Sequence, residues 1–158
     1  LKNSNTPSVI ALSRQKLPSI TEELKQKNVC SFGAYEVKKN DPNPAVTLIA
    51  SGSEVKIAIA AFEKLQNLNI NSKVVSMPCQ ELFNKQSKEY KEKIIEKNSV
   101  KISIEASSVH GWEKYVGLEG ISLGMKSFGK SAPINDLYEH FNLTSNNVVE
   151  LARKKLGK

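Results

Sequence analysis

Three short apolar runs rich in β-branched residues recur through the middle of the chain: Val46-Thr47-Leu48-Ile49-Ala50, Lys73-Val74-Val75-Ser76-Met77 and Lys101-Ile102-Ser103-Ile104. Val46 precedes Val74 by 28 residues, and Val74 precedes Ile102 by 28. That step suits a βαβ unit of about 30 residues. Between the first two runs, Val55, Ala58, Ile59, Phe62 and Leu65 fall on one helical stripe, with Lys56, Glu63 and Asn67 opposite. Between the second and third, the pattern predicts a helix from Lys85 to Glu96 whose apolar side is Tyr90, Ile94 and Ile95. Right-handed crossovers then give a parallel sheet covered by helices, so the fold class is α/β.

Downstream, Gly117, Gly120, Gly124 and Gly129 break up helical periodicity and favour short strands and tight turns. A helix is expected near Pro133, running through Leu137 to Phe141, because proline is tolerated in a first turn. A final helix should start after Thr144 as N-cap, with Val148, Leu151, Ala152 and Leu156 on one face and Gly157 as terminator. Arg153, Lys154 and Lys155 in its last turn suit the helix dipole.

The segment before Val46 has a different character. Val9-Ile10-Ala11-Leu12 reads as a buried strand, but the following stretch, with Pro18, Pro42 and Pro44, has no clear period. A structureless connector of that length is unusual inside a compact domain. Residues 1–15 are therefore expected to end one domain, 16–44 to link, and 45–158 to form a second domain.

Composition narrows the classes. The chain has 158 residues, 39% of them hydrophobic and 25% charged, as in an ordinary globular domain. Its longest unbroken apolar run is Ile57 to Phe62, far short of the roughly 20 residues of a bilayer span, so no membrane partner is expected. The start, Leu1-Lys2-Asn3-Ser4, lacks the apolar region of a signal peptide and an initiator Met, and reads as part of a longer chain. Net charge is +7, which invites a nucleic-acid reading. Against it, Arg14 and Arg153 are the only arginines, and the lysines of Lys85 to Lys97 alternate with Glu89, Glu92 and Glu96 at helix-pairing spacing. That is a solvated helix face, so nucleic acid is not expected as a partner. Cys30 and Cys79 lie far apart with only His110 and His140 to join them, which excludes a zinc motif and fits reduced thiols in a cytoplasmic protein.

Ligands of open α/β sheets sit beyond the carboxyl ends of the strands. Ser51-Gly52-Ser53-Glu54, leading from a strand into a helix, resembles a phosphate cradle. Ser51 and Glu54 also have the spacing of a capping box, and a carboxylate there would occupy the positive helix end that an anion would use. The cap is preferred, with Ser51, Gly52 and Ser53 kept as a candidate anion or ligand site. Glu105 and His110 are a conceivable acid–base couple, although a glutamate closing a strand is more often structural. His140 suits a helix-end dipole partner, and Trp112 with Tyr115 suit core or interface anchors. No nucleotide loop or nucleophile elbow is present, so no catalytic residue is assigned. Arg14 stands out because it follows an apolar strand in an arginine-poor chain, where a guanidinium can grip phosphate or carboxylate through two hydrogen bonds or form a structural ion pair.

Taken in order, Leu12-Ser13-Arg14-Gln15, Ala50-Ser51-Gly52-Ser53-Glu54-Val55, Val75-Ser76-Met77-Pro78, Glu105-Ala106, Gly111-Trp112-Glu113-Lys114-Tyr115, Phe128-Gly129 and Ser131-Ala132-Pro133 resemble the carboxyl-terminal third of transketolase across nearly the whole chain. The resemblance implies a three-layer α/β/α domain with a mostly parallel sheet of about five strands, preceded by the end of the middle, pyrimidine-binding domain. It implies a parent enzyme of the pentose phosphate pathway that transfers a two-carbon ketol unit from a ketose phosphate to an aldose phosphate. That enzyme would use thiamine diphosphate and Mg or Ca, act as a homodimer, and carry its cofactor and metal ligands outside this chain. Accordingly, no metal ligand is assigned here, this chain alone is expected to bind neither group and to be inactive, and Arg14 corresponds to an arginine that binds the sugar phosphate. The alternatives are a stand-alone regulatory or anion-binding α/β module and a lysine-rich nucleic-acid binder.

Overall fold

The computed structural model describes residues 5–20 and 28–158. Its five strands are β1 (Tyr35–Lys39), β2 (Val46–Ala50), β3 (Ser72–Ser76), β4 (Val100–Ser108) and β5 (Ile121–Met125). They form one sheet in the order β1-β3-β2-β4-β5. β1 is antiparallel to β3 and every other pairing is parallel. The helices are α1 (Val55–Asn67), α2 (Gln80–Asn84), α3 (Lys88–Ile94), α4 (Glu113–Val116), α5 (Ile134–His140) and α6 (Ser145–Leu156).

Side-chain alternation along the strands divides the core in two. Leu48, Val74, Ile102 and Ile104 face one layer, where α1, α5 and α6 contribute Ala58, Phe62, Leu65, Tyr138, Val148 and Ala152. Ile49 and Val75 face the other, where α2, α3 and α4 contribute Phe83, Ile94 and Tyr115, with Trp112 just ahead of α4. Helices on both faces of a mostly parallel sheet give the expected three-layer α/β/α architecture. All five residues of β2 are buried, as befits a central strand covered on both sides. No helix among the described residues is long and apolar enough to cross a membrane.

The local signals at the carboxyl end behave as read. The Thr144 side chain accepts a hydrogen bond from the Asn147 N–H at 3.3 Å, and Gly157 closes α6 in the left-handed conformation. Three other expectations need correction. The helix expected from Lys85 to Glu96 is shorter, α3 at Lys88–Ile94, because Ser87 accepts from the Tyr90 N–H and starts it; a separate short helix, α2 at Gln80–Asn84, precedes it and sends Phe83 into the core. The expected 16–44 connector contains β1, which pairs with β3 and extends the sheet. Its residues 21–27, like residues 1–4 on which the signal-peptide reading rests, lie outside the described part. Val9-Ile10-Ala11-Leu12 forms no strand: Val9, Ile10 and Leu12 are 97%, 68% and 85% exposed, and no strand among the described residues pairs with them.

Two features of β1 and β3 were not legible beforehand. Gly33, with φ +80°, lets the chain turn into β1 against the backbone of Cys79 and Phe83, where any Cβ would collide. Lys73 is fully buried in β3, and its Nζ donates to the Lys93 carbonyl at 2.8 Å and to Glu96 Oε1 at 3.1 Å. Burial lowers its pKa, which the neighbouring glutamates partly oppose.

Candidate functional site

The carboxyl ends of β2 and β4 meet at a small polar cluster. After Ala50 the chain makes one 3₁₀ turn over Gly52–Glu54 and runs straight into α1. The expected capping box does not form there. Ser51 Oγ instead donates to Glu105 Oε2 at 3.3 Å, and Ser53 Oγ donates to Glu54 Oε1 at 2.7 Å. Glu54 turns into the protein rather than back to Ser51: it is 4% exposed and accepts a 2.8 Å hydrogen bond from the Tyr138 hydroxyl of α5. The physical reason is partner choice, since a buried carboxylate is better satisfied by two hydroxyl donors than by one backbone N–H.

Glu105 does not close its strand as expected. β4 continues to Ser108 through an irregularity opposite β5, so Glu105 lies within the strand, half-buried. Burial raises its pKa, the Glu54 charge raises it further, and hydrogen bonds from Ser51 and Trp112 pull it back. Burial and Glu54 likewise push the Tyr138 hydroxyl up to about 12, so it remains a donor across the physiological range. His110 is exposed, with its backbone N–H directed to Ser108 Oγ, and no contact joins it to Glu105. The acid–base couple is therefore not assembled.

The remaining candidates fall on either side of the structural reading. Trp112 and Tyr115 are buried, with ring centroids 6.0 Å apart, and the Tyr115 hydroxyl donates to Asn84 Oδ1 at 3.1 Å. They are core anchors. His140 occupies the last turn of α5, edge-on to Phe141. Cys30 is exposed, Cys79 is half-buried, and both are free thiols. Among the described residues no three His, Cys, Asp or Glu side chains gather to hold a metal ion. The two buried-side carboxylates already have donors.

Arg14 is exposed, and no ion pair or hydrogen bond among the described residues engages its guanidinium. Its neighbour Ser13 lies beside the turn that carries this cluster: Ser13 Oγ is 3.6 Å from the point where a Cβ on Gly52 would stand. The two loops singled out for anion chemistry, Ser13-Arg14-Gln15 and Ser51-Gly52-Ser53, are thus brought side by side. Sequence alone could not pair them, nor identify Tyr138 as the group that holds Glu54.

The family model of the transketolase-like C-terminal domain matches residues 33–144. The chain belongs to that family. It is 43% identical over 157 residues to the transketolase of Sinorhizobium medicae, an alignment covering 99% of this chain and 22% of that protein. Among solved structures, a transketolase mutant from Pichia stipitis superimposes with a TM-score of 0.81 at 32% identity, covering 91% of this chain and 20% of the other. A Pichia stipitis transketolase in complex with sedoheptulose 7-phosphate gives a TM-score of 0.74 at 33% identity, covering 80% of this chain and 18% of the other. The chain therefore spans about a fifth of the length of these transketolases. The family match begins at residue 33, ahead of β1, so the edge strand lies within the transketolase C-terminal domain.

Proposed function

We propose that this chain is the carboxyl-terminal part of a transketolase that moves a two-carbon ketol unit from a ketose phosphate to an aldose phosphate, and that Arg14 binds the substrate phosphate. The observation that carries the reading is Arg14 itself: an exposed guanidinium with no partner among the described residues, in a chain 43% identical to a transketolase over 157 residues. A relative complexed with sedoheptulose 7-phosphate supports a phosphorylated sugar as the ligand class. A structural arginine would be ion-paired, whereas a phosphate-binding one keeps its fork free for two parallel hydrogen bonds.

Thiamine diphosphate and Mg or Ca supply, in the complete enzyme, the carbanion chemistry of ketol transfer. Glu54 and Glu105 do not fit either group, since they are held by Tyr138, Ser53 and Ser51. Amino-terminal and middle domains would complete the site, with the exposed Val9–Leu12 run joining the middle domain. The complete enzyme would be a cytoplasmic homodimer, and this chain alone would not catalyse the reaction. The domain division at residues 1–15 and beyond belongs to the same proposal, with the second domain beginning near residue 33 rather than 45.

The deciding experiment is Arg14→Ala in the complete enzyme. A charge-assisted hydrogen bond is worth about 1.5–3 kcal/mol, so kcat/KM for phosphorylated sugars should fall by about 10- to 150-fold. An unphosphorylated ketose never makes that contact, so its kcat/KM should hold. Arg14→Lys should recover part of the loss, because a point charge replaces the fork. An equal loss with both substrates would remove Arg14 from the phosphate site.

A further inference from the structure

We infer that Gly52 is a positioning residue for Arg14: the turn between β2 and α1 forms the seat that fixes where the Ser13-Arg14-Gln15 segment presents its guanidinium. This rests on the reading of Arg14 as the substrate-phosphate residue and adds the part of the domain that aims it. Three observations converge on the turn. Its two ends are pinned, Ser51 to Glu105 on β4 and Ser53 with Tyr138 to the buried Glu54. Between the pins, Gly52 is exposed and adopts φ +51°, a conformation that costs a side chain other than Asn or Asp dearly. And the open side of that glycine is where Ser13 rests, with its Oγ at ordinary van der Waals distance from a Cβ placed there.

The consequence is geometric. Among the described residues, 8–13 lack regular structure and their apolar side chains are exposed, so the turn is what this domain contributes to holding the segment that leads into Arg14, beside the support the middle domain would give through Val9–Leu12. Arg14 follows Ser13 directly, and bidentate recognition of phosphate demands that the guanidinium plane be held in place and orientation. A pinned turn beside the adjacent residue, with Ser13 Oγ 3.6 Å from where a Cβ on Gly52 would stand, supplies a share of that constraint. The same contact gives the loop a role without an anion of its own: Ser51 and Ser53 use their hydroxyls on Glu105 and Glu54, which leaves the turn to work through its shape.

The test compares donors in the complete enzyme, with and without phosphate, and uses Arg14→Ala as the reference for a phosphate-selective loss. Gly52→Val, which strains the turn, should raise KM for a ketose phosphate by about 10-fold while kcat and the KM of the unphosphorylated ketose stay within about twofold. Gly52→Asn, which tolerates positive φ, should stay within about threefold of the parent for the ketose phosphate. Should Gly52→Val reduce the amount of folded enzyme, Ser13→Leu alters the same contact from the exposed side and must reproduce the phosphate-selective rise in KM. If Arg14→Ala is phosphate-selective while Gly52→Val and Ser13→Leu leave KM unchanged, or depress both substrates alike, the positioning role is overturned and the Arg14 reading stands. If Arg14→Ala itself affects both substrates equally, the underlying reading falls, and the positioning role falls with it.

Discussion

Val9-Ile10-Ala11-Leu12 and Val46-Thr47-Leu48-Ile49-Ala50 are nearly interchangeable as sequences: each is a short β-type run that ends on a serine-led polar loop. Their fates are opposite. Every residue of the second run is buried between two helical layers, whereas Val9 and Leu12 of the first are 97% and 85% exposed. The difference lies in partners rather than propensity, because β2 has β3 on one side and β4 on the other, and the first run has neither. A β-type run contributes to stability only when a sheet receives it. The polar ends of the two runs nonetheless come side by side, at Ser13 and Gly52.

The largest expected effect tests that contrast directly. Leu48→Ala removes a fully buried side chain and should cost about 2–5 kcal/mol in chemical denaturation, whereas Leu12→Ala should change the stability of this chain by less than about 0.5 kcal/mol. In the complete enzyme the contrast should narrow, with Leu12→Ala costing about 2 kcal/mol or more once a neighbouring domain covers it. Continued indifference at Leu12 there would break the idea that the first run is a strand awaiting its sheet.

A middle-sized effect concerns how firmly the end of the buried run is tied. Tyr138→Phe deletes the hydroxyl that donates to Glu54 and leaves a buried carboxylate with Ser53 as its remaining side-chain donor. Unfolding stability should drop by about 1–3 kcal/mol. Loss of less than about 0.5 kcal/mol would mean that Glu54 finds a replacement donor and that the turn is not pinned.

The smallest effect is electrostatic. Because burial raises the Glu105 pKa, the folded chain retains a proton that the unfolded chain has already released, so ionisation of Glu105 opposes folding. That penalty is absent below the ordinary carboxylate range and grows as pH rises through the raised folded value. Glu105→Gln should therefore raise the melting temperature by about 1–3 °C at pH 7, with the gap closing as the pH is lowered toward 4. A gap that widened on acidification would reverse the assigned sign and make Glu105 a stabilising anion.

Much of the architecture is written in local pattern. The 28-residue step placed β2, β3 and the start of β4, the helical stripe placed α1, and Thr144 and Gly157 bounded α6. These features depend on residues within a turn or two of one another, and chain geometry imposes their periods. The ordered motifs from Leu12 to Pro133 likewise sufficed for the transketolase resemblance. What sequence could not decide was the choice of distant partner. Ser51 and Glu54 have the spacing of a capping box, yet each bonds elsewhere, to Glu105 and Tyr138, which lie 54 and 84 residues further along the chain. Ser87 moved the start of the expected helix from Lys85 to Lys88, because its side chain accepts from the Tyr90 N–H, and the short α2 ahead of it, with Phe83 in the core, was not expected. Lys73 looked like the polar start of a strand and became a buried cation, because the end of α3 and Glu96 supply it with acceptors. Local propensity is a property of neighbours in the chain. Satisfaction of a buried polar group depends on whatever atoms the folded layers bring to it, and that information exists only once the sheet and its two helical faces have assembled.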